Sequence, residues 1–521
     1  MFVIKSKRLL AGVMAIAAVT SCYADIPESF NKFRQEIFDN FNGFRERILE
    51  HYADFLAGEW HEYESLEATR KYSSPKPEEM PAMILTSEEA EGQNKEIFAF
   101  GVTDTPEGKR LEIKDPEAFK WIRSAVDLYK SRYPDSLTEE GGGVADIVSP
   151  EGIVNKYDGE IFYFYGMKFA LPRFDFTLRP EVKNTLDFSY QWIDLEKDSV
   201  ADLVNPSLLQ LQKTSGISDY LVYEMVMAWL DSKFPEVNDA SKMSGAHYLL
   251  ANMGFGVRIG IDGDSNPYML IPFDEPVYGR SRVQLSGAKD YYVFSTPGKE
   301  QIHSLSFSSP VLPDDANIGK PMNLRMSGLN LPMKPYHYEY EHGGLRLEGE
   351  LNENVMPMLY RYPQMDTGGF GACVISPEVR EDVVRQVKEQ LADMKPIKAV
   401  NKLLTMVQFA FPYATDDNFH GFEKPYFFEE SLYYPKNDCE DRAVFYSYLL
   451  WHALGLETDL IAYPNHEATA VVVDDVWNGT YYIDREQKYY ISDPTYQGAP
   501  TGQCMLRYMD VNPIIDLRYT K

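Results

Sequence analysis

The sequence predicts an α+β chain of several units, and three observations carry that expectation. Residues 437–496 place one helical block before a series of strand runs, residues 220–295 repeat that order in worn form, and residues 27–64 carry a helical apolar stripe. With 521 residues and 44% hydrophobic content the chain can bury several cores, and its length sets a soft prior of about three domains. The formal net charge of −28 repels phosphate backbones and anionic lipid surfaces, so nucleic acid is excluded as a partner class.

The C-terminal block begins NDCEDRAVFYSYLLWHALG. Asn437 and Asp438 are good helix caps, apolar or small residues follow at Ala443, Val444, Ser447, Tyr448 and Trp451, and Gly455 can end the helix. Cys439 thus stands at a helix N-terminus, where unpaired N–H groups and the helix dipole favour a thiolate. Asp438, Glu440 and Asp441 oppose that effect. Pro464-Asn465 reads as a bend, and His466 opens the apolar run Ala468 to Val473, which has strand composition. Asn478-Gly479 is a hairpin signal that returns the chain through TYYID to a strand at Lys488 to Ser492, delivering Asp493 just before Pro494. Neighbouring strands lie about 5 Å apart, so imidazole and carboxylate can meet. A thiol is weakly ionised at neutral pH, and a histidine held in one tautomer by a carboxylate turns it into a persistent nucleophile.

In this order, and with DCEDRA, YPNHEATAV and YYISDPTY around the three positions, residues 397–521 resemble the transglutaminase-like superfamily. The resemblance implies a papain-like fold and acyl transfer through a thioester, with Cys439 as nucleophile, His466 as general base and Asp493 as the orienting acid. It permits hydrolysis of an amide or passage of the acyl group to an amine. The oxyanion would be held by the Cys439 backbone N–H and a second donor from the preceding loop. Tyr433 and Tyr434 are candidates for that donor, and both read equally as packing aromatics. The expected activity is that of a cysteine-dependent amide or peptide hydrolase acting on a peptide or protein substrate. A cross-linking protein-glutamine acyl transferase and a catalytically idle surface protein that binds peptide or glycan stay open as alternatives. No cofactor is expected: there is no CxxC or His-rich metal spacing and no DxDxDG calcium loop.

Residues 1–24 read as an export signal, with Lys5, Lys7 and Arg8 before an apolar stretch from Leu9 to Val19 that is too short for a stable anchor. Val19-Thr20-Ser21-Cys22 resembles a bacterial lipobox, which would attach a lipid, and hence a membrane, through Cys22. Cys22-Tyr23-Ala24 can instead be read as a signal peptidase site before Asp25. The expected location is the periplasm or the outer membrane. Cys373, Cys439 and Cys504 remain after the leader, too few for a disulfide framework and odd in number.

Residues 25–150 are expected to be mainly helical, with a long helix over 27–64 broken near Asn42-Gly43, a Pro-rich linker at 73–83, and a polar insertion over 84–145 holding one helix from Pro116 to Tyr133. Residues 151–300 form a degenerate copy of the C-terminal unit, opening with strands around an Asp158-Gly159 turn. There YLVYEMVMAWL parallels AVNKLLTMVQFAF, YLLANMGFGVRIGI parallels YLLWHALGLETDLIA, and DYYVFSTP parallels KYYISDPT. Ala240 takes the nucleophile position, no histidine stands opposite His466, and Ser295 replaces Asp493. Residues 301–396 read as a small β-rich linking domain followed by a helix from Pro377 to Met394, with alternating Tyr336, Tyr338 and Tyr340 packing across strands.

Overall fold

The computed structural model describes residues 159–285, 289–295 and 319–520, apart from positions 263, 477–478 and 510, together with isolated positions and short strands in the remainder. The architecture is mixed α+β. Among the described residues no helix is long and apolar enough to cross a membrane. The leader at 1–24, with Cys22, and the helix expected at 116–133 lie outside the described residues.

Two units of the chain share one design. In the first, helix Asp219–Lys233 precedes helix Asp239–Asn252 and an antiparallel sheet. In the second, helix Pro396–Ala410 precedes helix Cys439–His452 and another antiparallel sheet. The second sheet runs Tyr481–Asp484, Gln487–Ser492, His466–Val471, Thr458–Tyr463, Ile514–Tyr519 from edge to edge. The first runs Arg282–Leu285, Lys289–Ser295, Pro267–Ile271, Arg258–Ile261, Leu305–Ser308, and is extended by Trp60–Tyr63. Element order and strand order coincide over these five strands. Each sheet buries strands by packing them on its helix, because period-two strands with apolar runs must be covered.

The helices start and stop where local chemistry dictates. Ser218 caps the first unit's Asp219 helix by accepting from the Leu221 N–H. Upstream of that cap, Gly216 takes φ +73°, and a Cβ there would meet the carbonyl oxygen of Gly328 at 1.9 Å, so only glycine fits. The Cys439 helix ends at His452, after which Gly455 with φ +69° donates back to the Trp451 carbonyl, as its glycine predicts. One contiguous set of buried apolar side chains runs from Trp229 and Leu250 through Leu347 and Val387 to Phe445 and Leu449. Fully burying each such side chain contributes about 1.5–3 kcal/mol. A smaller set, including Ile461, Ala468, Tyr489 and Ile491, lies on the other face of the second sheet.

Several sequence expectations are corrected. Trp60 belongs to a strand, not to the helix of 27–64, and Gly43 is helical where a break was expected. Strands Phe100–Thr105 and Gly108–Ile113 form a hairpin within the stretch read as a polar insertion in a helical region. Strands Glu160–Phe164 and Met167–Leu171 pair across a Tyr165-Gly166 turn, both residues at positive φ, while Asp158 of the Asp158-Gly159 turn expected before them lies outside the described residues. Residues 301–396 do not form one β unit. Leu305–Ser308 joins the first sheet, Pro335–His342 and Leu345–Asn352 make a hairpin, and helices take up much of the rest. The hairpin packs on helices Pro377–Leu391 and Pro396–Ala410, with Tyr340 stacked on Phe411 at 4.3 Å. The two-residue turn of the second sheet is Arg485-Glu486, again at positive φ, joining Tyr481–Asp484 to Gln487–Ser492. Asn478 lies outside the described residues, and Gly479 packs beside Gly502.

Candidate active site

His466 and Asp493 meet as the strand order requires. Thr458–Tyr463 and His466–Val471 pair in register across the two-residue Pro464-Asn465 turn, with Asn465 at φ +58°. That turn sets His466 at the first position of its strand. Asp493 follows the last residue of Gln487–Ser492, which pairs with the same strand. The imidazole Nε2 lies 2.8 Å from Asp493 Oδ2, and the other carboxylate oxygen accepts from the Thr495 and Tyr496 N–H groups at 2.8 and 3.1 Å. A carboxylate accepts only, so Nε2 is the donor in this contact. Nδ1 is buried and has no hydrogen-bond partner. The Tyr508 ring lies parallel to the imidazole at 5.4 Å, and its hydroxyl donates to the Pro464 carbonyl at 3.1 Å.

Cys439 is the first residue of its helix, and its thiol donates to Glu440 Oε2 at 3.2 Å. Cys439, His466 and Asp493 are all buried, at 1%, 3% and 3% exposure. Burial pushes the Cys439 thiol well above its usual value; Glu440 and then Asp438 push the same way, while the backbone N–H of Glu467 opposes them. The thiolate expected from the helix N-terminus is therefore overridden here by desolvation and adjacent carboxylates. Cys373 is buried and Cys504 half-buried; both are free, and burial raises each to about 11.

The oxyanion candidates Tyr433 and Tyr434 lie in the segment just before the Cys439 helix, and both are buried. Tyr433 sets its ring on Tyr336 at 4.7 Å and its hydroxyl 3.5 Å from Glu353, and Tyr434 packs on Tyr426 and His420 at 4.9 and 5.1 Å. Burial first, and the charge of Cys439 second, raise the Tyr413 pKa.

Four residues have no signal in the sequence because their contacts are made across the fold. Gln408, on helix Pro396–Ala410, donates to the carbonyls of Asp493, Tyr496 and Ala499 at 2.9–3.1 Å, and accepts from the Gly498 N–H at 3.2 Å. That clamps the loop carrying Asp493. Arg442, one turn into the Cys439 helix, donates to the carbonyls of Pro494 and Phe411 and lies over the Tyr413 ring at 5.1 Å. It ties the Cys439 helix to the same loop. Asp416 and Glu423 come from the segment before the helix and join Asp438, Glu440 and Asp441 in a buried acidic cluster beside the thiol. Of these, the sequence motif DCED carried a visible signal, whereas Gln408, Arg442, Asp416 and Glu423 have none.

No protein-family model, curated protein or solved structure matches the chain.

Proposed function

We propose that residues 397–521 form a transglutaminase-like cysteine hydrolase that cuts amide or peptide bonds through a thioester on Cys439. The observation that supports this reading most is the His466–Asp493 pair at 2.8 Å, with Nδ1 of the same ring left without a partner. A buried imidazole oriented on one nitrogen and open on the other is a base awaiting a proton. In the proposed cycle, the Cys439 proton passes to His466 Nδ1, and sulfur attacks the carbonyl carbon. Asp493 holds the imidazolium, and the Cys439 backbone N–H faces the developing oxyanion. Collapse expels the amine with the proton from Nδ1, leaving a thioester. Water, deprotonated by His466, then attacks the thioester carbon; the C–S bond breaks, the acid leaves, and the proton on Nδ1 returns to the Cys439 sulfur.

Hydrolysis is preferred to cross-linking because transfer needs an organised amine site of high effective molarity that excludes water. The basic-then-apolar order of residues 1–24 supports placing this activity in the periplasm or at the outer membrane, with Cys22 as the lipid attachment point. The test offers glutamine-containing peptides and a labelled amine to the protein and to its Cys439→Ala variant. Cleavage or deamidation that the variant lacks is expected. Robust amine incorporation would replace the hydrolase with a transferase, and equal behaviour of the two proteins would remove Cys439 from the chemistry.

A further inference from the structure

Two polar groups without partners meet in the first unit, away from its missing catalytic positions. Arg280 is half-buried, lays its guanidinium over the Phe294 ring at 4.1 Å, and has no hydrogen-bond or carboxylate partner among the described residues. Tyr223, on helix Asp219–Lys233, is 6% exposed, and its hydroxyl likewise has no hydrogen bond among the described residues. Its ring packs on the same Phe294 at 6.2 Å and on Tyr220 at 6.1 Å. Burial first and the charge of Glu224 second raise the Tyr223 phenol, while the charge of Arg280 opposes them. The hydroxyl therefore keeps its proton and is free to donate it.

The surrounding polar groups are already engaged, which fixes the place without satisfying those two. Glu224, next along the helix, accepts from the hydroxyls of Tyr220 at 2.7 Å and Tyr165 at 2.9 Å. Tyr165 stands at φ +50° in its hairpin turn, a conformation a bulky residue keeps only where its surroundings hold it. Asp231, whose charge also reaches Tyr223, is paired with Lys242 at 3.0 Å. The antiparallel bridge between Tyr278 and Gln364 draws the segment carrying Arg280 against the one carrying the exposed Arg361. Burial pushes the Glu224 carboxyl up, and the Tyr220 and Tyr165 hydroxyls, then the charges of Arg280 and Arg361, work against it. Two guanidinium charges thus act on one carboxylate whose oxygens already accept from phenols, a local excess of positive charge in a chain of net charge −28.

We propose that Arg280 and Tyr223 bind the carboxylate of a ligand, with Arg361 adding positive charge on the solvent side. A guanidinium stacked flat on an aromatic ring holds its plane and offers a fork of N–H donors, which a planar carboxylate takes in pairs. The Tyr223 hydroxyl supplies a further donor from the helix. A doubly charged phosphate would meet about twice the repulsion from Glu224 that a carboxylate does, so the singly charged planar anion is preferred. The end of a peptide chain and an acidic sugar both carry that group. The first unit, with Ala240 and Ser295 where the second has Cys439 and Asp493, would then recognise a ligand where it performs no chemistry. This site stands on the first unit's own side chains and does not depend on the proposed reaction.

The test titrates the full chain, carrying Cys439→Ala so that no peptide is lost to cleavage, with trialanine, its C-terminal amide, glucuronate, glucose and inorganic phosphate, followed by calorimetry. Binding of trialanine but not of its amide, or of glucuronate but not of glucose, is expected, and which pair responds tells whether the carboxylate comes from a peptide or a sugar. Arg280→Gln should weaken that binding by at least about tenfold, as losing a hydrogen-bonded charge pair does. Tyr223→Phe, which keeps the ring packing and so the fold, should weaken it by about threefold or more. Arg385→Gln, whose guanidinium is engaged by Asp382 and Glu389 on another helix, should leave affinity unchanged. Equal affinity for acid and amide and for glucuronate and glucose, no carboxylate binding at millimolar concentration, tighter binding of phosphate than of either carboxylate, or binding indifferent to both Arg280→Gln and Tyr223→Phe would overturn the site. Because catalysis is absent from the chain titrated, none of these outcomes bears on the hydrolase reading.

Discussion

The helix that opens with Asp239 and the helix that opens with Cys439 begin the same structural phrase and end up in opposite electrostatic conditions. In the first unit the start of the helix is satisfied by neutral groups: Asn238 accepts from the Ser241 and Val182 N–H groups, and the Ser241 hydroxyl donates toward Arg179 and Gln191. In the second, five buried carboxylates crowd a thiol. The strand positions diverge in the same way. Pro267 opens the strand that matches the one opened by His466, and Ser295 closes the strand that matches the one preceding Asp493. Shared topology thus sets where side chains converge, and the residue types at those points decide whether chemistry is available. The second unit departs from self-satisfied packing at just those points, which is where function is expected to override local consistency.

The largest effect that could break this comparison lies in the imidazole–carboxylate pair. His466→Ala and Asp493→Asn are expected to lower the Cys439-dependent rate by about a thousandfold or more, as loss of base or orienting acid does elsewhere. Ser295→Ala, at the equivalent point of the first unit, should leave the rate unchanged. Steady-state kinetics on one peptide substrate decides it, and a comparable loss from Ser295→Ala would assign the first unit a share in the chemistry.

The second effect is on stability. Trp229 is among the largest fully buried side chains, with its ring packed against Phe174 and Phe176. Trp229→Ala should cost about 3–5 kcal/mol in unfolding free energy by urea titration. Below the unfolding transition the rate per folded molecule should be unaltered, as befits a scaffold unit. A folded Trp229→Ala protein with a changed rate would show the units to be coupled.

Much of the C-terminal unit was legible because its signals are local. A capped helix, a Pro-Asn bend and a strand ending in Asp-Pro follow one another within sixty or so residues, and each constrains its own backbone. The repeat made the first unit legible by the same signals. What was lost is non-local or conflicting. Asn478-Gly479 looked like the hairpin turn, but the strands close at Arg485-Glu486, because pairing of Tyr481–Asp484 with Gln487–Ser492 fixes the turn between them. Leu305–Ser308 looked like part of a separate unit, yet it pairs with Arg258–Ile261 some 45 positions earlier, and no local pattern announces such a partner. Gln408 and Arg442 read as ordinary helix residues until the acid loop is laid across them.

A smaller effect distinguishes the two helices by pH. His247 in the first unit corresponds to Ser447 in the second, counting from the shared Tyr-Leu-Leu at 248 and 448. Burial first, and Arg258 second, lower the His247 pKa from 6.5 to about 3. A folded-state value below the unfolded one means that the neutral ring contributes stability above pH 6.5, lost as pH falls toward 3. Urea titrations should therefore show a smaller stability loss between pH 6.5 and 4 for His247→Gln than for the parent. Identical pH dependence would place the acid sensitivity elsewhere.

The central claim is that Cys439 cuts amide bonds, and the most direct measurement is proteome-wide profiling of new chain termini after incubation with the protein or with Cys439→Ala. A set of new termini sharing a local sequence preference, present with the parent protein and missing with the variant, is expected. Identical profiles from the two proteins, with Cys439→Ala folded by circular dichroism, would contradict it.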